Sequence, residues 1–405
     1  MVNAVAMLSM HTSPLAQPGE GDSGGMNVFV RELSAALAQA GVTVRVYVRR
    51  DDPGLPDRIP VEPGFEVVHI DAGPTDLPKE LLTDVVDEFA DGVAADIERA
   101  GDVGVIHANY WLSGVAGHRI KHQLALPLVS TFHTLAAVKS STGDHEPQFR
   151  IDAESAVIGC SDLITASNPV EARQLVELVG ARAERIELVP PGVDHAFFSP
   201  GDQRGARFAL GLDDRPVLLF VGRIQPLKGL DVAVDALIEL DRPDVRLVAV
   251  GGPSGRDGAA ELARITARIE AAGIGEQVRF VPPQPHHLLS TYYRAADLAI
   301  VPSRSESFGL VALEAAACGL PVVAAAVGGL NSLVDPGRTG LLIEGRDPAD
   351  YSGAIRSLLD NPSERAEMSR RSFEESKRYR WSGTAGRLRR VFGDLAATSS
   401  LVSCA

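Results

Sequence analysis

Short aliphatic runs recur along the chain, each separated from the next by more than the length of a hairpin. In the first half they are Asn3–Leu8, Val42–Val48, Val67–Ile70, Val103–His107, Leu128–Thr131, Leu163–Ala166 and Ile186–Val189. Gaps of that length call for crossover connections and predict a parallel sheet rather than a meander. The segments between the runs follow a different rhythm. From Met26 to Ala40 the apolar positions Phe29, Val30, Leu33, Ala36, Leu37 and Ala40 fall three and four apart, while Arg31, Glu32 and Gln39 lie elsewhere. That spacing predicts an amphipathic helix stopped by Gly41.

The rhythm pauses across Pro190-Pro191-Gly192-Val193-Asp194 and Ser199-Pro200-Gly201-Asp202, whose turn residues read as a linker. It then resumes with runs at Val217–Val221, Val245–Val250, Val278–Val281, Leu298–Val301, Val322–Ala325 and Leu341–Ile343. The pattern predicts an α/β protein of two doubly wound, Rossmann-like parallel-sheet domains, 1–198 and 199–397. A ligand cleft is expected at the carboxyl ends of their strands. The polar stretch beyond Pro362 has helical composition to about Leu395, and its last helix is expected to pack back on the N-terminal domain. Thr398–Ala405 reads as a frayed tail.

Composition narrows the chemistry. With 45% hydrophobic residues in 405 the chain has material for more than one core, and a net charge of −14 without a basic block argues against nucleic acid or an anionic lipid surface. An anionic ligand must therefore meet a local cluster of cations. Cys160, Cys318 and Cys404 lie far apart with no ligand spacing, so neither a disulfide framework nor a zinc site is suggested, and a reducing, cytoplasmic setting is expected. The most apolar stretch, Leu310 to Val327, is interrupted by Glu314, Gly319 and Pro321, too soon to span a membrane.

Three loops carry candidate chemistry. Gly19-Glu20-Gly21-Asp22-Ser23-Gly24-Gly25 follows the first strand and opens the first helix, where free N–H groups suit a phosphate; a plain strand-to-helix turn explains it equally well. Gly222-Arg223-Ile224-Gln225-Pro226-Leu227-Lys228-Gly229 follows a strand of the second domain, and its two cations can bracket a diphosphate. Pro302-Ser303-Arg304-Ser305-Glu306-Ser307-Phe308-Gly309 leads into a helix carrying Glu314 on an otherwise apolar surface. A carboxylate there needs partners, which the vicinal hydroxyls of a ribose can supply.

Glu306-x7-Glu314, Gly222-Arg223 with Lys228, and Val327-Gly328-Gly329-Leu330 together resemble the retaining, nucleotide-sugar-dependent glycosyltransferases of the GT-B fold, family four. Ser9-Met10-His11-Thr12-Ser13-Pro14, Gly21-Asp22-Ser23-Gly24-Gly25-Met26-Asn27-Val28 and Phe132-His133-Thr134-Leu135-Ala136 look like the members that move N-acetylglucosamine from UDP to an inositol phosphate in mycothiol biosynthesis. The resemblance implies a UDP-sugar donor near Gln17, Pro18, Gly25, Arg223, Lys228, Gln284, Glu306 and Glu314. It implies a phosphorylated polyol acceptor near His11, Asp22, Ser23, Gly24, Gly25, Met26, Asn27, Lys79, Tyr110, Thr134 and Arg150. Arg223, Lys228, Glu306 and His133 would carry the catalysis.

Leu320, Gln284 and Gly229-Leu230-Asp231 depart from the family's usual residues, and Pro282-Pro283-Gln284-Pro285-His286 looks like sucrose-type synthases. A UDP-sugar 2-epimerase of the same architecture is a further alternative. No Asp-x-Asp is present, so no metal is required; Mg²⁺ near Tyr293, Arg294 and Ala296 enters by resemblance alone. His107, His118, His122, His286 and His287 show no ligand spacing and read as structural or exposed, and Trp111 reads as packing. Homodimer formation is left open.

Overall fold

The computed structural model of the chain describes all residues except 1, 20, 142–145, 256, 398–400 and 405. Glu20 of the first glycine loop, part of the Ser140–Pro147 loop and the first residues of the expected frayed tail lie outside the described residues. Contacts divide the chain into two units: residues up to Ala16, Met26–Gly192 and the chain from Trp381 onward form the first, and Gln17–Gly25 with Val193–Arg380 form the second.

The first unit holds an eight-stranded sheet. Its strands are β1 (Ala4–Leu8), β2 (Thr43–Arg49), β3 (Arg58–Glu62), β4 (Phe65–Ile70), β5 (Val103–Asn109), β6 (Leu128–Thr131), β7 (Leu163–Ala166) and β8 (Ile186–Leu188), in the order β3-β4-β2-β1-β5-β6-β7-β8. All neighbours are parallel except β3, which pairs antiparallel with β4. The aliphatic pattern misses β3 because Arg58-Ile59-Pro60-Val61-Glu62 is polar and contains a proline, which a sheet tolerates only at an edge. The first helix, Gly25–Gln39, buries Phe29, Val30, Leu33 and Leu37, the stripe expected from its spacing.

The helix Trp381–Ala397 completes this unit. Trp381, Ala385, Leu388 and Phe392 join one core cluster with Val5, Val44, Val105 and Phe29, and the Thr384 hydroxyl donates to the Pro190 carbonyl. Each large apolar side chain buried there contributes about 1.5–3 kcal/mol.

The described end of the tail, 401–404, is anchored rather than frayed. The Val402 N–H donates to Asp162 Oδ1 at 2.7 Å. Cys404 meets Cys160, 244 positions away, sulfur to sulfur, so the expectation that these cysteines form no disulfide does not hold for this pair. His118 and His122, expected to show no ligand spacing and to be structural or exposed, instead lie one turn apart and both direct Nε2 at Cys404 Sγ, at 3.3 and 2.9 Å. Local spacing cannot reveal a pairing that the fold makes across the length of the unit.

The second unit holds a six-stranded, wholly parallel sheet of β9 (Val217–Val221), β10 (Arg246–Val250), β11 (Val278–Val281), β12 (Leu298–Val301), β13 (Val322–Ala325) and β14 (Gly340–Ile343). The order is β11-β10-β9-β12-β13-β14. The order reverses beside β9, the first strand in sequence, which is the topological switch point where loops of such sheets bind ligands. No helix among the described residues is long and apolar enough to cross a membrane.

Candidate functional site

In the second unit the chemistry gathers at the carboxyl ends of β9 and β12. After β9 the chain turns through Gly222 and Arg223, and Ile224 N–H donates to Gly252 O at 2.8 Å. Lys228 follows a tight turn closed by its own N–H on Gln225 O, and Gly229, at φ +75°, starts the helix Leu230–Leu240. A Cβ on Gly229 would lie 2.2 Å from Pro302 O, so only glycine lets this loop reach the segment after β12.

That approach sets the central contact, Lys228 Nζ on Glu306 Oε2 at 2.7 Å. Glu306 is braced from below, because Gly329 N–H donates to its carbonyl at 2.8 Å. Gly328, at φ +48°, would place a Cβ 2.0 Å from the same oxygen. The Gly328-Gly329 pair is thus a backbone cradle for Glu306.

The glycine loop 17–25 packs on this unit. Gln17 donates to the Gln284 carbonyl, Ser254 Oγ donates to Gly21 O, and Gly19 lies against Pro283. A Cβ on Gly24 would stand 3.4 Å from Arg223 Nε, so the loop's glycines and Arg223 share one surface. Pro18, Asp22, Ser23, Gly24 and Gly25 are therefore placed together with Arg223 and Gln284.

Glu314 lies buried on the helix Leu310–Ala317, and its partners were not visible in the sequence. His286 Nε2 donates to Oε1 at 2.7 Å and the Tyr293 hydroxyl donates to Oε2 at 2.9 Å. His286, expected to be structural or exposed, thus holds a candidate donor ligand in place. Burial and the adjacent Glu314 charge push the Tyr293 phenol well above its ordinary range, so it remains a donor.

Of the three residues that the resemblance sets near Mg²⁺, Tyr293 donates its hydroxyl hydrogen bond to Glu314. The Ala296 carbonyl accepts from Gln203, and the Arg294 guanidinium donates to the carbonyls of Phe197 and Ser199.

In the first unit Tyr110 is the hub. Its backbone has φ +75° at the end of β5, and its N–H donates to Thr131 O at 2.8 Å. His133, just past the adjacent β6, has φ +59°. Two non-glycine residues at positive φ cost about 1–3 kcal/mol each, a strain that composition cannot reveal.

The cations converge on the Tyr110 ring: Lys79 Nζ lies 5.7 Å and Arg150 Cζ 5.2 Å from its centroid, and the His11 ring is 4.4 Å away. Arg150 also donates to Thr134 Oγ1 at 3.4 Å. Lys79, Tyr110, Thr134 and Arg150 thus come together as one cluster.

Sequence reasoning missed the carboxylates around it. Arg150 is paired with Glu146 at 2.8 Å and Glu154 at 2.9 Å, and Lys139 with Glu146 at 2.7 Å. Asn27 is buried and donates to Thr12 Oγ1 and Ser13 O, bracing the loop after β1, while Met26 packs at the edge of the core. Trp111 is buried, as expected, against Phe149.

His133 Nε2 bonds Asn109 Oδ1 at 2.9 Å, and the Asn109 amide donates to Met7 Sδ, so His133 carries its proton on Nε2. Burial, with a smaller contribution from His107, pushes its pKa down to about 3. Burial does the same to His107.

Both rings are therefore neutral in the folded chain, whereas the unfolded chain protonates them near 6.5. The unfolded state binds more protons below that value, so stability is full above about pH 6.5 and falls as the pH drops towards 3. Urea midpoints should decline steadily below about pH 6.5, and His107→Gln should flatten that decline. An unchanged slope in the variant would assign the acid lability to other groups.

Two sequence families account for the two units: "Glycosyl transferase 4-like domain" matches residues 24–192 and "Glycosyl transferases group 1" matches 202–375. The D-inositol 3-phosphate glycosyltransferase 2 of Catenulispora acidiphila is 46% identical over 94% of this chain and 92% of its own. The D-inositol 3-phosphate glycosyltransferase of Acidothermus cellulolyticus is 46% identical over 97% and 90%.

Among solved structures, sucrose-phosphate synthase from Thermosynechococcus elongatus superposes with a TM-score of 0.93 at 33% identity, covering 98% of this chain and 100% of its own. Anabaena HepE, solved with UDP and glucose, shares the fold at 20% identity and a TM-score of 0.80, over 96% and 99% of the two chains. With relatives this similar along both units, the chain belongs to the glycosyltransferases that join a 4-like domain to a group 1 domain.

Proposed function

We propose that this chain transfers N-acetylglucosamine from UDP-N-acetylglucosamine to 1D-myo-inositol 3-phosphate with retention of configuration, the cytoplasmic step that opens mycothiol biosynthesis. The observation that carries the reading is the cluster of Lys79, Tyr110, Thr134 and Arg150, a set of donors suited to a phosphate in an acidic protein. It agrees with the activity for which relatives 46% identical to this chain are named.

Arg223 and Lys228 act on the leaving diphosphate. As the bond from the sugar's anomeric carbon to the β-phosphate oxygen breaks, charge collects on that phosphate, and two fixed cations stabilise it more than they stabilise the intact donor. The acceptor hydroxyl oxygen forms the new bond on the same face, and its proton passes to the departing phosphate oxygen. Glu306, held on Lys228, accepts from hydroxyls of the sugar; Glu314, oriented by His286 and Tyr293, accepts from those of the ribose. These cations do the work of charge neutralisation without a resident metal. His133, neutral and bonded through Nε2 to Asn109, is a positioning group and not a proton donor at neutral pH.

A second reading rests on the 33% identity to sucrose-phosphate synthase, since a phosphate cluster also suits a hexose phosphate. Product analysis with UDP-N-acetylglucosamine and inositol phosphate, beside UDP-glucose and fructose 6-phosphate, separates the two. Product from the second pair alone would overturn our reading, and interconversion of the donor sugar without acceptor would reveal an epimerase. Thr134→Ala should raise KM for inositol phosphate several-fold and leave KM for the donor unchanged. An equal rise in both would remove Thr134 from the acceptor cluster.

A further inference from the structure

Away from these groups, the first unit gathers four soft ligands. His118 and His122 lie one turn apart on the helix Trp111–Leu124, Cys160 ends the helix Gln148–Cys160, and Cys404 comes from the tail. Their ligand atoms all lie within 4.8 Å of one another. We propose that His118, His122, Cys160 and Cys404 bind one zinc ion in a structural, tetrahedral site that clamps the C-terminal tail to the unit.

Histidines at i and i+4 project from one face of a helix, the spacing helical zinc sites use. A set of two cysteines and two histidines is a common closed structural site, and tetrahedral bonds near 2.0–2.3 Å put ligand atoms roughly 3.3–3.8 Å apart. Nε2 of His122 and of His118 stand 2.9 and 3.3 Å from Cys404 Sγ, near the spacing an ion needs, whereas the Cys160 and Cys404 sulfurs, joined in this structure, must part to admit it. Binding would release the two thiol protons, leaving two thiolates and two neutral imidazoles to balance the dication.

The surroundings hold the ligands in place. Asp162 accepts from Val402 N–H at 2.7 Å, Lys121 Nζ at 2.8 Å and Leu128 N–H at 2.8 Å, so one carboxylate ties the tail, the histidine helix and β6 together. Lys121 also donates to the Cys160 carbonyl at 2.7 Å. A disulfide would use the two sulfurs and give the paired imidazoles nothing to do. A metal uses all four groups.

The test is zinc content of the untagged, full-length chain purified with reductant, measured by elemental analysis beside a thiol count in denaturant. The expected result is about one zinc per chain, with all three cysteines titrating once it is removed. Cobalt exchanged into the site should give the strong visible bands of a tetrahedral thiolate complex. Cys404→Ser and His122→Ala should each cut retained zinc at least tenfold, while His122→Cys keeps it. His122 is exposed and the tail is terminal, so these variants leave the core untouched. A chain with no zinc and only Cys318 titrating would be a disulfide and would overturn the proposal. Three free thiols with no retained metal would overturn it equally.

Discussion

Lys228→Ala should lower kcat by about two to three powers of ten, the loss commonly seen when one preorganised charge is removed from a developing anion, about 3–4 kcal/mol. The expected change is in turnover more than in folding. Lys228 and Glu306 are each partly open to solvent, with side chains 24% and 19% exposed, so the carboxylate left behind can be hydrated at little cost. Lys228→Arg should restore only part of the rate, because a planar fork cannot occupy the place of a compact ammonium fixed by the turn at Gln225. Steady-state kinetics with the thermal midpoint measured beside them is the check. Wild-type turnover in Lys228→Ala would remove the residue from catalysis, and with it the reading of the loop after β9 as the diphosphate site.

Arg150→Ala should be the most damaging change to the fold itself. The side chains of Arg150, Glu146 and Glu154 are 6%, 10% and 1% exposed. Among the described residues, Glu146 keeps Lys139 when the guanidinium is removed, but Glu154 keeps only the Ala136 N–H. Burial already pushes the Glu154 carboxyl above its ordinary range, and Arg150, with a smaller contribution from the Ala136 N–H, opposes that push.

Breaking such a buried pair costs about 3–5 kcal/mol. Urea denaturation should show that loss, with Arg150→Lys losing less and the paired change of Arg150 and Glu154 to apolar residues recovering much of it. A variant as stable as the parent would show that the pairs contribute nothing. Because Arg150 supports the fold as well as belonging to the proposed acceptor cluster, its effect on KM must be measured at a temperature where the variant is folded. Thr134, whose hydroxyl lies at the edge of the network, gives the cleaner reading of the acceptor.

Much of this was legible in the sequence where local pattern suffices. The aliphatic runs located thirteen of fourteen strands, and the missing one, β3, is an edge strand whose proline and charges obey a different rule. The cations at Arg223 and Lys228 and the carboxylate at Glu306 could be read from their place after a strand, because a parallel sheet presents such loops on one side.

Illegible were the contacts that only the fold creates. Nothing near Glu314 announces His286 and Tyr293, which come from other elements, and nothing near Arg150 shows that Glu154, one turn on, would be almost fully buried. The left-handed backbones at Tyr110 and His133 are likewise imposed by the sheet, since neither residue favours that conformation. The meeting of Cys404 with a helix of the first half is the extreme case.

The helix that closes the first unit is encoded at the far end of the chain. During synthesis on the ribosome, the sheet of β1 to β8 must wait, with the face that Trp381 and Phe392 will cover still bare, until the whole second unit has been made. A nascent chain halted at Gly192 should therefore be sticky and protease-sensitive rather than a finished half, and a separate peptide carrying the terminal helix should rescue it.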